Sequence, residues 1–174
     1  MTRAAVAVGL VVVALAAAGV AAGGTVTLGK GLPPWKLGQR YAVRSGLVRS
    51  QRFAANDGPG CVSSASSATR IDFYRGLRVA WRADSHGRLY LVDVATSRAG
   101  DRSADGFVVA VSTRGAVRLK HPGVTVSYAQ GPLALGASSL AVIHHTGKET
   151  FDELVYWFDA QGTLTALEAL AGGC

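Results

Sequence analysis

A chain of 174 residues is long enough to bury an independent core and too short for several, so one domain is expected after the first two dozen residues. The net charge of +7 is unevenly placed. Up to Asn56 the basic residues are Arg3, Lys30, Lys36, Arg40, Arg44, Arg49 and Arg52, with no acid among them, and beyond it bases and acids balance. Outside the cell, that excess favours anionic lipid head groups, wall polymers or an acidic protein face as partner. Nucleic acid is set aside, because only Trp35 and Tyr41 interleave the basic run and the N-terminus points to export.

From Ala4 to Ala22 every residue is Ala, Val, Leu or Gly, preceded by Met1, Thr2 and Arg3. A run of this kind is about as long as a bilayer crossing, which takes roughly 17–25 residues. Residues 1–24 therefore read as a secretory signal, cleaved after Val20-Ala21-Ala22, or as an uncleaved transmembrane anchor with Arg3 inside. Either reading places the remainder in an oxidising, secreted or extracytoplasmic setting. Cys61 and Cys174, the only cysteines, then read as a disulfide bond.

Residues 25–36 read as a linker and 37–174 as one α+β domain. In the first half, Leu37, Tyr41, Val48 and either Arg44 or Leu47 fall at helical spacing, with Gly46 shortening the helix. Ser63 to Thr69 reads as a mobile loop. Leu77, Val79 and Trp81 alternate with Arg78, Ala80 and Arg82, the pattern of a strand with one wet face bearing Arg78 and Arg82. Asp84 to Gly87 makes a turn, and Leu89 to Ala95 returns as a strand. Thr96 to Gly106 reads as a linker between halves.

In the second half, Ser112 or Thr113 caps a helix that Pro122 and Gly123 stop after Lys120 and His121. Val124 to Tyr128 offers a further strand. Leu140 to His145, Leu154 to Phe158 and Leu164 to Leu170 then read as a three-stranded meander, with Asp159 to Gly162 as its tight turn.

The halves share a pattern. Arg40-Tyr41-Ala42-Val43-Arg44 matches Arg114-Gly115-Ala116-Val117-Arg118. Val79-x-Trp81-x-x-Asp84-x-x-Gly87-x-Leu89 matches Val155-x-Trp157-x-Asp159-x-x-Gly162-x-Leu164, the second copy being one residue shorter in the turn. The expectation is a duplicated unit, about 37–97 and 106–170, each copy a helix followed by an antiparallel hairpin or meander, with the helices on one face of the sheet. Trp81 and Trp157 are expected at equivalent, core-packed positions.

This arrangement, with Asp105-Gly106-Phe107 leading to Val111-Ser112-Thr113 and then Val117 and Pro122-Gly123, resembles the tandem domain of the beta-lactamase-inhibitory proteins. It is also similar to the SmpA/OmlA-type small lipoproteins of outer-membrane assembly. The resemblance implies a binding module rather than an enzyme, with the sheet as contact surface.

The residues themselves show no nucleophile elbow, zinc-protease helix, phosphate loop or dinucleotide fingerprint. His144 and His145 are adjacent in a predicted strand and point to opposite faces, His86 sits in a turn and His121 at a helix end. No metal, cofactor or catalytic residue is therefore assigned. The function expected is a non-enzymatic extracytoplasmic binding module, with a protein or an anionic envelope component as partner. Its expected contacts are Lys36, Arg40, Arg44, Arg49, Arg52, Arg78 and Arg82. Two alternatives stand beside it: a small secreted hydrolase or thiol enzyme using Cys61 or Ser64 with a distant His, and a structural envelope protein resting on anionic lipid.

Overall fold

The computed structural model describes residues 23–55, 69–127, 138–145 and 151–171. The secretory or anchor segment 4–22, Cys61, Cys174, Ser64 and the Ser63–Ala68 stretch lie outside them. Among the described residues no helix is long and apolar enough to cross a membrane. No disulfide stands at bonding distance among them either. Nothing in the fold bears out a transmembrane anchor or a Cys61–Cys174 bridge.

The α+β expectation is overturned: 55% of the described residues are strand and 6% helix. In chain order come β1 (Thr25–Val26), β2 (Gly31–Leu32), β3 (Trp35–Lys36), β4 (Leu47–Phe53), β5 (Thr69–Tyr74), β6 (Leu77–Ala83), β7 (Leu89–Thr96) and β8 (Arg102–Ser103). They are followed by α1 (Arg114–Lys120), β9 (Val126–Ser127), β10 (Ser138–His145), β11 (Phe151–Phe158) and β12 (Leu164–Ala171). Eight strands form one antiparallel sheet in the order β4-β5-β6-β7-β12-β11-β10-β9.

The expected first helix is where the pattern misleads. Gly38 and Gly46 both take positive φ, +78° and +81°, breaking any helix between them. Segment 38–41 instead hydrogen-bonds along β7, with Tyr41 N–H donating to Leu89 O at 2.8 Å and Leu91 N–H to Gln39 O at 2.9 Å. Leu37, Tyr41 and Leu47 still pack on the main core, but as extended chain. A few apolar residues at helical spacing are a weak prior, and a free sheet edge overrides it. The second helix forms as expected: Thr113 caps α1 by accepting from Ala116 N–H at 3.4 Å. Segment 25–36 is no linker, since Val26, Leu32 and Trp35 are buried in the core.

Each sheet face has its own packing. One, the packed face, carries Val79, Trp81, Val94, Leu154, Tyr156 and Leu167, and is covered by Val26, Leu32 and Trp35 with Val109 and Val117. The opposite face holds two smaller clusters, one around Ile71 and Ala80, the other around Val155, Trp157, Ala166 and Leu170.

The duplication survives in the hairpins with a shifted register. Gly87 N–H donates to Asp84 O and Gly162 N–H to Asp159 O, and both glycines have positive φ. The two turns are thus the same, offset by 75 residues. At that offset Trp81 corresponds to Tyr156, and both lie in the main core. Trp157 lies on the opposite face. The expected Trp81–Trp157 equivalence was one residue out of register, and such a slip moves every side chain through the sheet. The β7–β12 ladder pairs Val94 with Ala169, Ala95 with Glu168 and Asp93 with Leu170. A local twofold axis therefore passes between Val94 and Ala169, making Asp93 and Glu168 equivalent positions.

Candidate anionic-partner interface

The β4–β5 end of the sheet joins the basic residues to an aromatic cluster. On the packed face Trp35 lies 5.0 Å from Tyr74 and 6.1 Å from Trp81, and Tyr41 lies 5.0 Å from Trp81, ring centre to ring centre. Behind the rings Asp72 is fully buried. Its carboxylate accepts from Trp81 Nε1 at 3.1 Å and from Arg70 Nε at 2.8 Å. Alternation along β5 explains the geometry: Arg70, Asp72 and Tyr74 share one strand face, and Ile71 and Phe73 the other.

Two guanidiniums lie on these rings. Arg44 sits 4.8 Å over Trp35 and Arg70 4.6 Å over Tyr41, and Arg44 Nη2 also donates to Pro34 O at 3.2 Å. Each stack is worth about 0.5–1 kcal/mol at an exposed site, and its larger effect is orientation. Arg52 stands directly opposite Arg70 in the β4–β5 register. On the far side of the same edge, Arg49 lies 4.2 Å over Phe73. Burial, then the Asp72 carboxylate, raises the Tyr41 and Tyr74 hydroxyls above the ordinary phenol range. Both stay neutral, so among the described residues Asp72 is the one carboxylate offsetting Arg44, Arg52 and Arg70.

Of the expected contact residues, Lys36 and Arg40 are exposed beside this end, Arg44 is half-buried in it, and Arg49 and Arg52 project from β4. Arg78 does not sit on a wet face. It is 3% exposed and bonded to Asp93 and Glu168. Arg82, on the opposite face, is half-buried. Sequence reasoning missed Arg70 and Asp72; the readable signal was an i, i+2 pair of opposite charge in the β-rich run Thr69 to Tyr74.

Two other polar clusters define what the chain can do chemically. Arg78, Asp93 and Glu168 fill the opposite face near the local twofold, and Trp157 Nε1 donates to Glu168 at 2.7 Å. Burial raises the Asp93 carboxyl well above its ordinary value, against the opposing pull of Arg78. Burial, with Glu168 nearby, also raises Glu153.

The second cluster holds His121 Nε2 2.6 Å from Asp105 and borders a hollow of about 810 Å³ lined by Arg118, Leu119, Pro122 and Val124. The hydroxyls of this cluster, Ser103 and Tyr156, both donate to Asp105. Neither is aimed at the imidazole as a nucleophile would be. Hydrogen bonds from Ser103, His121 and Tyr156 outweigh burial and hold Asp105 below the usual carboxylate range. His121 thus turns its side chain to Asp105, while its backbone N–H caps the helix at Val117 O, 3.0 Å away. His86 is exposed in its turn. The backbone of His144 and His145 lies in β10, and their side chains are outside the described set. Among the described residues no group of three or more His, Cys, Asp or Glu is placed to hold a metal ion.

No family model, curated protein or solved structure matches the chain. The twofold helix-plus-hairpin unit implied by the resemblance to the beta-lactamase-inhibitory proteins is not the fold observed.

Proposed function

We propose that the chain is an exported, non-enzymatic binding module that takes an anionic partner at the β4–β5 end of its sheet. Export rests on the uninterrupted apolar run from Ala4 to Ala22 behind Arg3. The binding reading is carried by one observation: Arg44 and Arg70 are held over Trp35 and Tyr41 beside Arg52, with a single buried carboxylate among them in the described residues. A guanidinium stacked on a ring has already lost much of its side-chain freedom. It presents its N–H edge to carboxylate, phosphate or sulfate at reduced entropic cost. The positive field around it also speeds encounter with such groups.

The test is binding of the full chain to three anionic probes: poly-L-glutamate, a sulfated polysaccharide and vesicles containing anionic lipid. At least one should bind with an affinity that falls about tenfold or more in Arg44→Gln/Arg49→Gln/Arg52→Gln, as loss of several preorganised charges requires. Arg70 is kept so that Asp72 retains its partner. Indifference to all three probes would sink the reading.

A further inference from the structure

Among the described residues β4 is a seven-residue edge strand; at the other end of the sheet β9 is two residues long and pairs with only Ser139 and Leu140 of β10. β5 is the only strand paired with β4 among the described residues. Five consecutive residues of β4, Val48 to Arg52, are exposed, and no proline interrupts it. A strand edge of this kind offers a row of backbone donors and acceptors on which an extended peptide can add as a further strand.

The side chains say which peptide. Register with β5 puts Arg52 beside Arg70 on the packed face and Arg49 beside Phe73 on the opposite face, with the Arg49 guanidinium 4.2 Å over the Phe73 ring. Positive charge therefore flanks the edge on both sides of the sheet. A flat anionic surface meets one face at a time. A strand laid along β4 sends alternate side chains to both faces, so it engages Arg49 and Arg52 together. A second copy of this chain added β4 to β4 brings Arg49 and Arg52 against like charges, which is unfavourable. All four cations of the edge, Arg44, Arg49, Arg52 and Arg70, are arginines, whose planar fork matches a carboxylate with two parallel hydrogen bonds.

We infer that the anionic partner is an acidic, extended polypeptide segment that adds to β4 as a ninth strand of the sheet. The inference rests on the proposed anion-binding reading and names its partner.

It is tested with the full chain and a fluorescent peptide as long as β4, seven residues, of sequence Thr-Glu-Glu-Thr-Glu-Glu-Thr, which puts two Glu on each face of the added strand. A second peptide has the same sequence with alternate backbone nitrogens methylated, in both possible registers. Methylation keeps every charge and removes the donors that a β-ladder needs. The expected result is Arg49- and Arg52-dependent binding of the plain peptide, with about tenfold or greater loss for the methylated peptide in at least one register. Equal binding of plain and methylated peptides overturns strand addition and leaves anion binding standing. Binding of anionic vesicles or sulfated polysaccharide without the plain peptide does the same. Failure of every anionic probe removes both.

Discussion

Replacing Arg78 with Met removes one guanidinium from a site that is almost fully buried and leaves its apolar stem in place. Arg78 is 3% exposed, Asp93 6% and Glu168 3%, so water cannot take over the lost role. Breaking a buried ion pair by removing one partner costs about 3–5 kcal/mol. That is a large share of the roughly 5–15 kcal/mol that keeps a domain folded. The deficit should also depend on pH. Burial already raises Asp93 well above its ordinary value, and Arg78 is the main influence opposing it. Without Arg78 the folded protein binds that proton more tightly still. A carboxyl raised on folding adds stability at pH values below its unfolded value, and that contribution fades as pH rises through the raised one. The Arg78→Met deficit should therefore be largest near neutrality and shrink on acidification.

Urea unfolding of both proteins at about pH 7.5 and pH 5 measures this directly, as a shift in midpoint at unchanged slope. Adding Asp93→Asn and Glu168→Gln to Arg78→Met should recover most of the loss, because no buried charge then stands alone. A deficit below about 1 kcal/mol at the higher pH, or one equal at both, would refute the reasoning, since it would mean that water or another cation serves the carboxylates.

Tyr156→Phe removes a hydroxyl that donates to Asp105 at 2.9 Å and should cost about 1.5–3 kcal/mol, the worth of a hydrogen bond to a charge, read by thermal or urea melting. Asp105, held below its ordinary value, contributes stability above the unfolded aspartate pKa of about 3.9 and loses it as pH falls through the lowered folded value. Asp105→Asn should accordingly be less stable than the parent at neutral pH, with the gap closing in acid unfolding curves below that value. Gly87→Ala and Gly162→Ala place a side chain at φ +75° and +84° without serious steric overlap. Each should cost about 1–2 kcal/mol from backbone strain alone, and a neutral result at both would argue against the shared turn geometry.

Much of the sheet was legible where alternation was strict and a turn closed the hairpin. Leu77 to Trp81, Leu89 to Ala95 and the strands either side of Asp159 to Gly162 were all read from period and turn chemistry. What failed depended on partners distant in sequence. Segment 38–41 became an extended chain because the start of β7 offered it a ladder, and no local window contains that information. Arg78 looked like the wet face of an amphipathic strand. Asp93 and Glu168, which draw it inward, lie on two other strands. The duplicated pattern was visible, but the one-residue difference was placed in the turn. The bulges that locate it lie between Ala80 and Trp81 and between Trp157 and Phe158. Of the proposed binding end, the excess of arginine was evident from charge alone. Its aromatic seating and its buried Asp72 needed Trp35, Tyr41, β5 and β6 to meet in three dimensions.

The central claim is that position, and not net charge, makes the β4–β5 end a binding site. Poly-L-glutamate affinity should be compared for the parent, for Arg44→Gln/Arg49→Gln/Arg52→Gln, and for Arg98→Gln/Arg102→Gln/Arg118→Gln, whose arginines are exposed elsewhere on the surface. Both variants lose the same charge. The account predicts about a tenfold or greater loss in the first and a change of less than about threefold in the second, the remainder expected from a weaker long-range field. Equal losses in the two would contradict it.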